Sequence, residues 1–459
     1  MPSLAAASSA RERLPATHRA SAFEPQLMLR VLGSLGLIGI LTSTFLLAAG
    51  ASHGPSDYVR LQKAGWPSWV AGPFQGLGLH LRLDHESFQA LTLVMLGAYL
   101  LVLVGARSLP ALAIGTTVAI AYLLLMLGPP LLSQDVFGYV SFGRMGALHG
   151  LDPYTHVAAE APSDPTLPFI GWPFQHTPYG PLFTLLSYAV VQLGFAGALW
   201  AFKAIAVITS AGAVALVAIA ARSSNRSGRF AAAFLGLNPV MLEFAVGGSH
   251  NDTITLLLVA GALAIASGAA ARLKAAAWPL AVAVGFKISA GVLLPFLVLS
   301  PEPWIERAKV LASAVGGLIV VGAIGAIGFG TNMVGFLVPI GEEQQQLAVH
   351  SIPAETARLL GLGVAPTWWR YLFDAGFLFV LALCMWRTAK GFDWRAAAGW
   401  STVALVVSTA WLLPWYAVWA LPLAAVSTDK KLRVVVLLFC LYALMIRLPL
   451  AEGLLGSGT

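Results

Sequence analysis

Asp135 stands out because of where a carboxylate occurs. It lies in SQDVFGY (133–139), directly after the apolar run 111–132, which contains no charged residue. A carboxylate at such a point can act as a general base that takes a proton from a hydroxyl group. It can equally stabilise the start of a helix, where backbone N–H groups lack partners. Taken alone, this stretch leaves both interpretations open.

Further charged and aromatic side chains follow Asp135, on a potentially helical stretch and in the turn-forming sequences LDPYTH and TPYGPL. Turns with preset backbone angles present tyrosine rings rigidly, as a site for a sugar or a lipid headgroup requires. A purely structural turn is the alternative in each case. The residues concerned are Tyr139, Arg144, Asp152, Tyr154 and Tyr179.

Lys287 is the second chemically informative residue. It stands near the middle of the otherwise uncharged stretch 278–300. A lysine is costly in hydrocarbon, so such residues usually face the protein interior, find a partner and mark a functional site. Its ammonium group would suit a phosphate. The alternative is that the side chain extends to the membrane surface and has no other role.

Three other segments contribute candidate substrate-binding residues. They are GGSHND, PWYAVWALP and GEEQQQLAVHS, and each has a structural alternative: helix capping, an aromatic belt at the membrane interface, or a solvated loop histidine. The candidates are His250, Asn251, Asp252, Trp415, Tyr416 and His350.

The composition indicates which elements position these side chains. Of the 459 residues, 58% are hydrophobic and only 10% are charged, whereas soluble domains carry about 25% charged residues. Several uncharged runs are long enough to cross a bilayer. We therefore predict an all-α polytopic membrane protein with roughly 11–13 transmembrane helices. The net charge of +7 fits basic cytoplasmic loops rather than nucleic-acid binding. Cys384 and Cys440 lie in apolar runs and are predicted to be buried thiols.

Basic residues fix the predicted layout, since short cytoplasmic loops collect Lys and Arg. Residues 1–27 are predicted to be a disordered cytoplasmic tail and residues 28–459 a single transmembrane domain. Residues 31–50 form an uncleaved anchor, although AAGA (48–51) leaves cleavage open. This layout places the principal loop, 133–181, and a second loop, 331–367, on the outer face.

Two stretches need breaks to keep the basic loops cytoplasmic. Residues 182–195 could form a full span, but a short re-entrant or interfacial helix keeps the arginines of 221–229 inside. Residues 278–300 likewise fit a hairpin of two short helices, with Lys287 near the outer part of the membrane.

No nucleotide-binding motif accompanies these candidates. The glycine-rich run 316–330 lacks the Lys-Ser/Thr end of a phosphate loop. Acid, base and cation at the outer face without a nucleotide site suit a donor that is already membrane-bound, namely a sugar on a lipid phosphate. A carboxylate would then deprotonate the acceptor, and cations would stabilise the leaving phosphate.

The stretches SQDVFGYVSFGRMGALHGLDPYTH and TPYGPLF resemble the polyprenol-phosphate-mannose-dependent α-1,6-mannosyltransferases of actinobacterial lipomannan synthesis, which are GT-C glycosyltransferases. The resemblance implies a GT-C-like helical bundle with Asp135 as the catalytic base. It places Lys287 at the lipid phosphate and further residues around donor and acceptor: Arg144, Asp152, Tyr154 and Tyr179.

The implied reaction is an inverting transfer of mannose from a polyprenyl-phosphate-mannose donor to a mannoside or lipoglycan acceptor, with an α-1,6 linkage. It would take place on the extracytoplasmic face of the plasma membrane, with membrane lipid as a further partner and no nucleic acid. The sequence identifies no cofactor, and the need for a divalent cation, Mg²⁺ or Mn²⁺, stays open.

Other functions stay open at this point. One is a GT-C transferase that uses another polyprenyl-phosphate sugar. Another is a transporter or flippase for lipid-linked sugars, which would be expected to show paired repeats with broken helices near the midplane. The gathering of polar residues at one face favours an enzyme. A non-catalytic assembly factor would not need both Asp135 and Lys287.

Overall fold

The computed structural model describes residues 17–53, 58, 67–77, 81, 83–268 and 272–448, and these residues form helices and connecting turns without any β-strand. Five helical segments are long and apolar enough to cross a membrane, and shorter apolar helices of 10–17 residues accompany them. The predicted class, an all-α polytopic membrane protein, is confirmed. The five long segments are Pro25–Ala51, His85–Gly105, Pro181–Ser223, Trp304–Val334 and Thr367–Ala389.

The helices are numbered in chain order over the described residues. They are α1 Thr17–Ala51, α2 Ser68–Ala71, α3 His85–Gly105, α4 Ala111–Leu127, α5 Asp135–His149, α6 Pro181–Val190, α7 Gly194–Ser223, α8 Gly228–Gly236, α9 Asp252–Ile265, α10 Leu273–Phe286, α11 Leu294–Leu299, α12 Trp304–Phe329, α13 Leu337–Gln345, α14 Ile352–Leu359, α15 Thr367–Ala389, α16 Trp394–Ser408, α17 Leu421–Val426 and α18 Lys430–Met445. A π-helical segment, Met241–Val246, lies between α8 and α9. The 3₁₀ segments are Pro73–Leu77, Ala158–Glu160, Leu167–Phe169, Val191–Leu193, Ile288–Leu293, Gly330–Val334 and Pro414–Ala420.

Helix α4 delivers the chain to Asp135. Its sequence ALAIGTTVAIAYLLLML is uncharged, so it can lie in hydrocarbon, and it starts after Pro110 and ends before Gly128. Helix α5 begins at Asp135 and ends at Gly150, which adopts the left-handed conformation (φ 67°) that glycine tolerates best at a helix end. The predicted helical character of the stretch around Arg144 is therefore confirmed.

Helix α1 starts earlier than expected. It begins at Thr17, so residues 17–27 are helical where a disordered tail was predicted, while residues 1–16 lie outside the described residues. Once the apolar span has nucleated a helix, each added residue gains a hydrogen bond without a new nucleation cost, and this favours extension into the flanking sequence.

The helix after the principal loop is separate from the long helix that follows it. Helix α6 gives way to a 3₁₀ turn, and Gly194, at φ 74°, redirects the chain into α7. The combined segment of 43 residues is about twice the length of a single span, and this break divides it. Two separate helices agree with the proposed short helix at 182–195; its relation to the membrane stays a prediction.

The chain also breaks at Lys287, as predicted. Helix α10 ends at Phe286, and Lys287 is extended (φ −150°, ψ 117°). The following 3₁₀ segment and α11 pack back against α10, so residues 273–299 form a helical hairpin. Helices α13 and α14 lie within 331–367, which was predicted as a loop; both are too short to cross a bilayer. Cys384 and Cys440 are free and buried, as expected.

Candidate functional site

A cavity of about 380 Å³ lies where the start of α5, the start of α9, the break at Lys287 and the segment Pro414–Ala420 meet. Its walls combine one carboxylate, one ammonium group and many aromatic rings. The residues that line it include Asp135, Trp172, Gln175, His176, Tyr179, Asn251, Lys287, Trp415, Tyr416 and Trp419.

Asp135 faces this cavity from the first turn of α5. The preceding residue, Gln134, occupies the N-cap, so Asp135 is not the capping residue itself, although its charge is favourable at this end of the helix. Its side chain is 11% exposed, and its Oδ2 lies 3.3 Å from Nδ1 of His250. The His250 ring is buried and stacks on Trp415, with 3.8 Å between ring centroids. The carboxylate is therefore accessible from the cavity and held beside a fixed imidazole.

Tyr139 and Asn251 form a support behind the cavity wall. The backbone N–H of Asn251 donates to the Tyr139 hydroxyl at 3.2 Å, and that hydroxyl lies 3.5 Å from Asn251 Oδ1. Tyr139 is buried and does not line the cavity. Among the residues described, Asn251 Nδ2 is buried and has no hydrogen-bond partner.

Lys287 has the buried partner that its position predicted. Its Nζ donates to Oδ1 of Asp252 at 2.6 Å; Asp252 is fully buried, and Lys287 is 18% exposed. Trp419 donates to the same carboxylate oxygen. Nζ also lies 4.8 Å from the ring centroids of Tyr416 and Trp419, a distance at which rings stabilise a cation. The ammonium group is therefore fixed at the cavity wall.

Arg144 lies outside this cavity. Its Nε donates to Asp164 Oδ2 at 2.9 Å, and His149 Nε2 lies 2.6 Å from the same oxygen. Burial tends to raise the pKa of Asp164, but hydrogen bonds from Thr166, His149 and Arg144 outweigh it and leave that pKa below its ordinary value. These contacts tie the end of α5 to the loop that follows it.

Asp152 and Tyr154 also lie behind the wall. Asp152 accepts hydrogen bonds from the Tyr154 backbone N–H at 3.0 Å and from Asn332 Nδ2 at 2.9 Å. The buried Tyr154 hydroxyl donates to the backbone carbonyl of Tyr179 at 2.9 Å. Tyr154 therefore holds Tyr179, whose side chain reaches the cavity, and Asp152 in turn holds the backbone of Tyr154.

His350 is not brought to the cavity. Its Nδ1 lies 2.7 Å from Glu355 Oε1, and its carbonyl accepts a hydrogen bond from the Tyr442 hydroxyl. The predicted candidates thus divide into two groups. Those at the cavity or in direct contact with a residue that lines it are Asp135, Tyr139, Tyr154, Tyr179, His250, Asn251, Asp252, Lys287, Trp415 and Tyr416; those farther away are Arg144, Asp152 and His350.

Several lining residues were not singled out from the sequence. Trp172, Gln175 and His176 belong to the Pro-rich segment between the two tyrosine turns, so their neighbourhood gave a usable signal. Trp419 lies in PWYAVWALP with two residues that were selected. Phe377, on α15, has no such signal because it is one of several aromatic residues in a largely apolar span.

The possibility of a divalent cation was left open by the sequence. Within the described ranges, no three His, Cys, Asp or Glu side chains converge as a metal site would require. No step of the proposed transfer reaction depends on a metal.

Comparison with known proteins identifies related sequences. A family model described as "Alpha-(1->6)-mannopyranosyltransferase, N-terminal domain" matches residues 30–302. The chain is 28% identical over 337 residues to alpha-(1->6)-mannopyranosyltransferase A of Mycobacterium tuberculosis. The aligned region covers 66% of this chain and 62% of that protein. The chain is 31% identical over 182 residues to alpha-(1->6)-mannopyranosyltransferase A of Corynebacterium glutamicum, covering 38% and 36% of the two chains. The matches thus span less than two thirds of each of these relatives. No solved structure matches the chain significantly.

Proposed function

Because the chain belongs to the alpha-(1->6)-mannopyranosyltransferase family, we propose that it is an inverting mannosyltransferase whose donor is polyprenyl-phosphate mannose. The observation that carries this proposal is the single cavity lined by the Asp135 carboxylate, the Lys287 ammonium group and aromatic rings. The proposed acceptor is a mannoside or lipoglycan, extended through an α-1,6 linkage.

Asp135 is the proposed general base. It takes the proton from the acceptor hydroxyl as the hydroxyl oxygen attacks the anomeric carbon of mannose. The bond between that carbon and the phosphate oxygen breaks, and the phosphate leaves with the electron pair. A single displacement of this kind inverts a β-linked donor into an α-mannoside. His250, 3.3 Å from the carboxylate, is a positioning residue in this scheme.

Lys287 is the proposed contact for the lipid phosphate. Its ammonium group has three donors, and one is engaged by Asp252 at 2.6 Å. The remaining donors can bind phosphate oxygens and stabilise the charge that develops on the leaving group. Because Asp252 and Trp419 fix the lysine before substrate arrives, little ordering cost accompanies binding.

The remaining wall suits a sugar. Flat rings of Trp172, Tyr179 and Trp415 offer apolar faces, and the side chains of Gln175 and His176 offer polar atoms. The cavity volume of about 380 Å³ lies within the range of about 300–1,000 Å³ that is common for small-molecule sites. The enzyme is proposed to act on the extracytoplasmic face of the plasma membrane, opposite its arginine-rich loops.

The test is an assay of purified protein in lipid nanodiscs with polyprenyl-phosphate mannose and a short α-mannoside. We expect Asp135→Asn to lower the transfer rate by about 10²–10⁴-fold, the usual contribution of a general base. Glu302→Gln is the matched control, since Glu302 is an exposed carboxylate that does not line the cavity, and it should transfer at the parent rate.

Three outcomes would contradict the proposal. Full activity in Asp135→Asn would remove this residue from the mechanism. Transfer only from another polyprenyl-phosphate sugar would make the chain a different lipid-linked sugar transferase. Lipid translocation across vesicles without any glycosyl transfer would make it a transporter.

A further inference from the structure

A second cavity of about 950 Å³ lies at the opposite end of α4 from Asp135. Helix α4 starts beside this cavity at Ala111 and ends at Leu127, shortly before Asp135. Its 17 residues span about 25 Å at 1.5 Å per residue. The end of the second cavity at Ala111 therefore lies about one α4 length from the first cavity, while its lining extends along α4 as far as Ala119.

Five arginines from different parts of the chain surround this cavity. They come from the α3–α4 turn, the end of α7, the α7–α8 turn, α8 and α18. They are Arg107, Arg222, Arg226, Arg229 and Arg433. No Asp or Glu of the described chain lines the cavity with them; the nearby carboxylate of Asp429 interacts with one of the five, Arg433.

Two of these arginines donate to backbone carbonyls of the described residues. Arg226 Nη1 donates to the Ser427 carbonyl at 2.9 Å, and Arg229 Nη1 donates to the Leu109 carbonyl at 3.0 Å. The Nε atoms of Arg226 and Arg433 are buried and lack a hydrogen-bond partner in the described part of the chain. Those two atoms are shielded from the cavity, whereas Arg107, Arg222 and Arg229 are exposed and can turn guanidinium N–H groups toward an anion there.

The cavity joins a charged end to an apolar wall. Its arginines surround Phe230, with the guanidinium carbons of Arg107 and Arg433 at 5.9 and 5.8 Å from the ring centroid. Helix α8, nine residues long, starts there at Gly228 behind its Ser227 cap, and the first N–H groups of a helix favour anions. Along α4 and α7 the lining is apolar: Ile114, Gly115, Val118, Ala211, Val214 and Ala218.

We propose that this cavity binds the phosphate headgroup of an anionic membrane lipid, with the lipid chain lying along α4 and α7. Guanidinium groups bind phosphate oxygens in pairs, and basic pockets between membrane helices are suited to acidic lipid headgroups. The apolar wall distinguishes a lipid from free phosphate, which would gain nothing from it. A bound lipid would connect α4, α7, α8 and α18, and this role is independent of the proposed transferase activity.

The experiment compares lipid retention in two variants of equal charge. Parent protein and Arg222→Gln/Arg433→Gln are moved from nanodiscs of dioleoylphosphatidylglycerol and dioleoylphosphatidylcholine into detergent, and bound lipid is counted by native mass spectrometry. The control is Lys390→Gln/Lys431→Gln, which removes two exposed charges outside the cavity. We expect the arginine variant to retain phosphatidylglycerol about tenfold less well than the parent, and the control to match the parent.

Each other outcome overturns the proposal. Unchanged retention in the arginine variant, or an equal loss in the lysine control, would show that the cavity does not recognise the lipid. Equal retention of phosphatidylcholine would remove the preference for an anionic headgroup. Displacement of phosphatidylglycerol by millimolar inorganic phosphate would assign the cavity to free phosphate. If the first variant fails to fold, Arg107→Gln/Arg222→Gln alters two exposed arginines and serves the same comparison.

Discussion

At the scale of single residues, each charge proposed to act in the first cavity is held by a partner that faces it. Asp252 is fully buried and binds Lys287, and His250, which is 1% exposed, contacts Asp135. A buried partner costs stability unless its charge is matched. Each of these side chains therefore depends on its partner. Removing one member of a pair should change the stability of the fold and the rate of mannosyl transfer, and the two effects can be measured separately.

The Lys287–Asp252 pair allows those two effects to be measured. Lys287→Met leaves Asp252 buried without its cation, so we expect a loss of stability of about 3–5 kcal/mol together with loss of transfer. Lys287→Met/Asp252→Leu removes both charges and should regain most of the stability but none of the transfer. Thermal unfolding in detergent and the nanodisc assay give the two measurements. Recovered transfer in the double variant would show that Lys287 acts only through folding.

At the scale of elements, close backbone packing fixes the position of the turn at Tyr179 relative to the helical hairpin of residues 273–299, which contains Lys287. The N–H of Gly180 donates to the Phe286 carbonyl at 3.3 Å. A methyl group at Gly180 would lie 2.3 Å from the Gly285 carbonyl oxygen, and one at Gly285 would lie 2.6 Å from side chains of Leu182 and Val321. The start of α6 can therefore approach the hairpin only because both positions are glycine.

Gly180→Ala should move the hairpin away from α6 and displace Lys287 relative to Tyr179. We expect a lower melting temperature, from overpacking of about 1–3 kcal/mol, and a larger proportional loss of transfer. Gly376→Ala is the matched control, because nothing lies within 4 Å of a methyl group there. Parent-like stability and transfer in Gly180→Ala would contradict the role assigned to this contact.

The elements themselves were largely predictable from the sequence, and their partners were not. The break at Lys287 was predicted because a hairpin in this stretch keeps the basic loops on the cytoplasmic side. The partner of Lys287, Asp252, lies 35 residues earlier and was selected as a candidate substrate-binding residue, not as the partner of this lysine. Arg144 was assigned to substrate by resemblance but pairs with Asp164. Such pairings arise when helices pack, and neither hydropathy nor local turn chemistry specifies which helices become neighbours.

At the scale of the whole molecule, the two cavities make the two ends of the helical bundle chemically different. Asp135 and the aromatic rings gather at one end of α4, and five arginines gather at the other. Basic residues near the ends of spans favour the cytoplasmic side. This asymmetry supports an extracytoplasmic position for the cavity that contains Asp135, and it can be tested without any substrate.

Labelling of single cysteines tests this orientation. Both native cysteines are buried, so a Cys384→Ala/Cys440→Ala background should retain the fold and give little labelling. Glu160→Cys places a thiol at an exposed position in the loop beside the first cavity, and Ser223→Cys places one next to Arg222 at the other end. In intact cells a membrane-impermeant maleimide should label the former alone, and permeabilisation should add the latter. The reverse pattern would put Asp135 on the cytoplasmic side and the arginine-rich end outside. It would contradict the proposed extracytoplasmic site of mannosyl transfer.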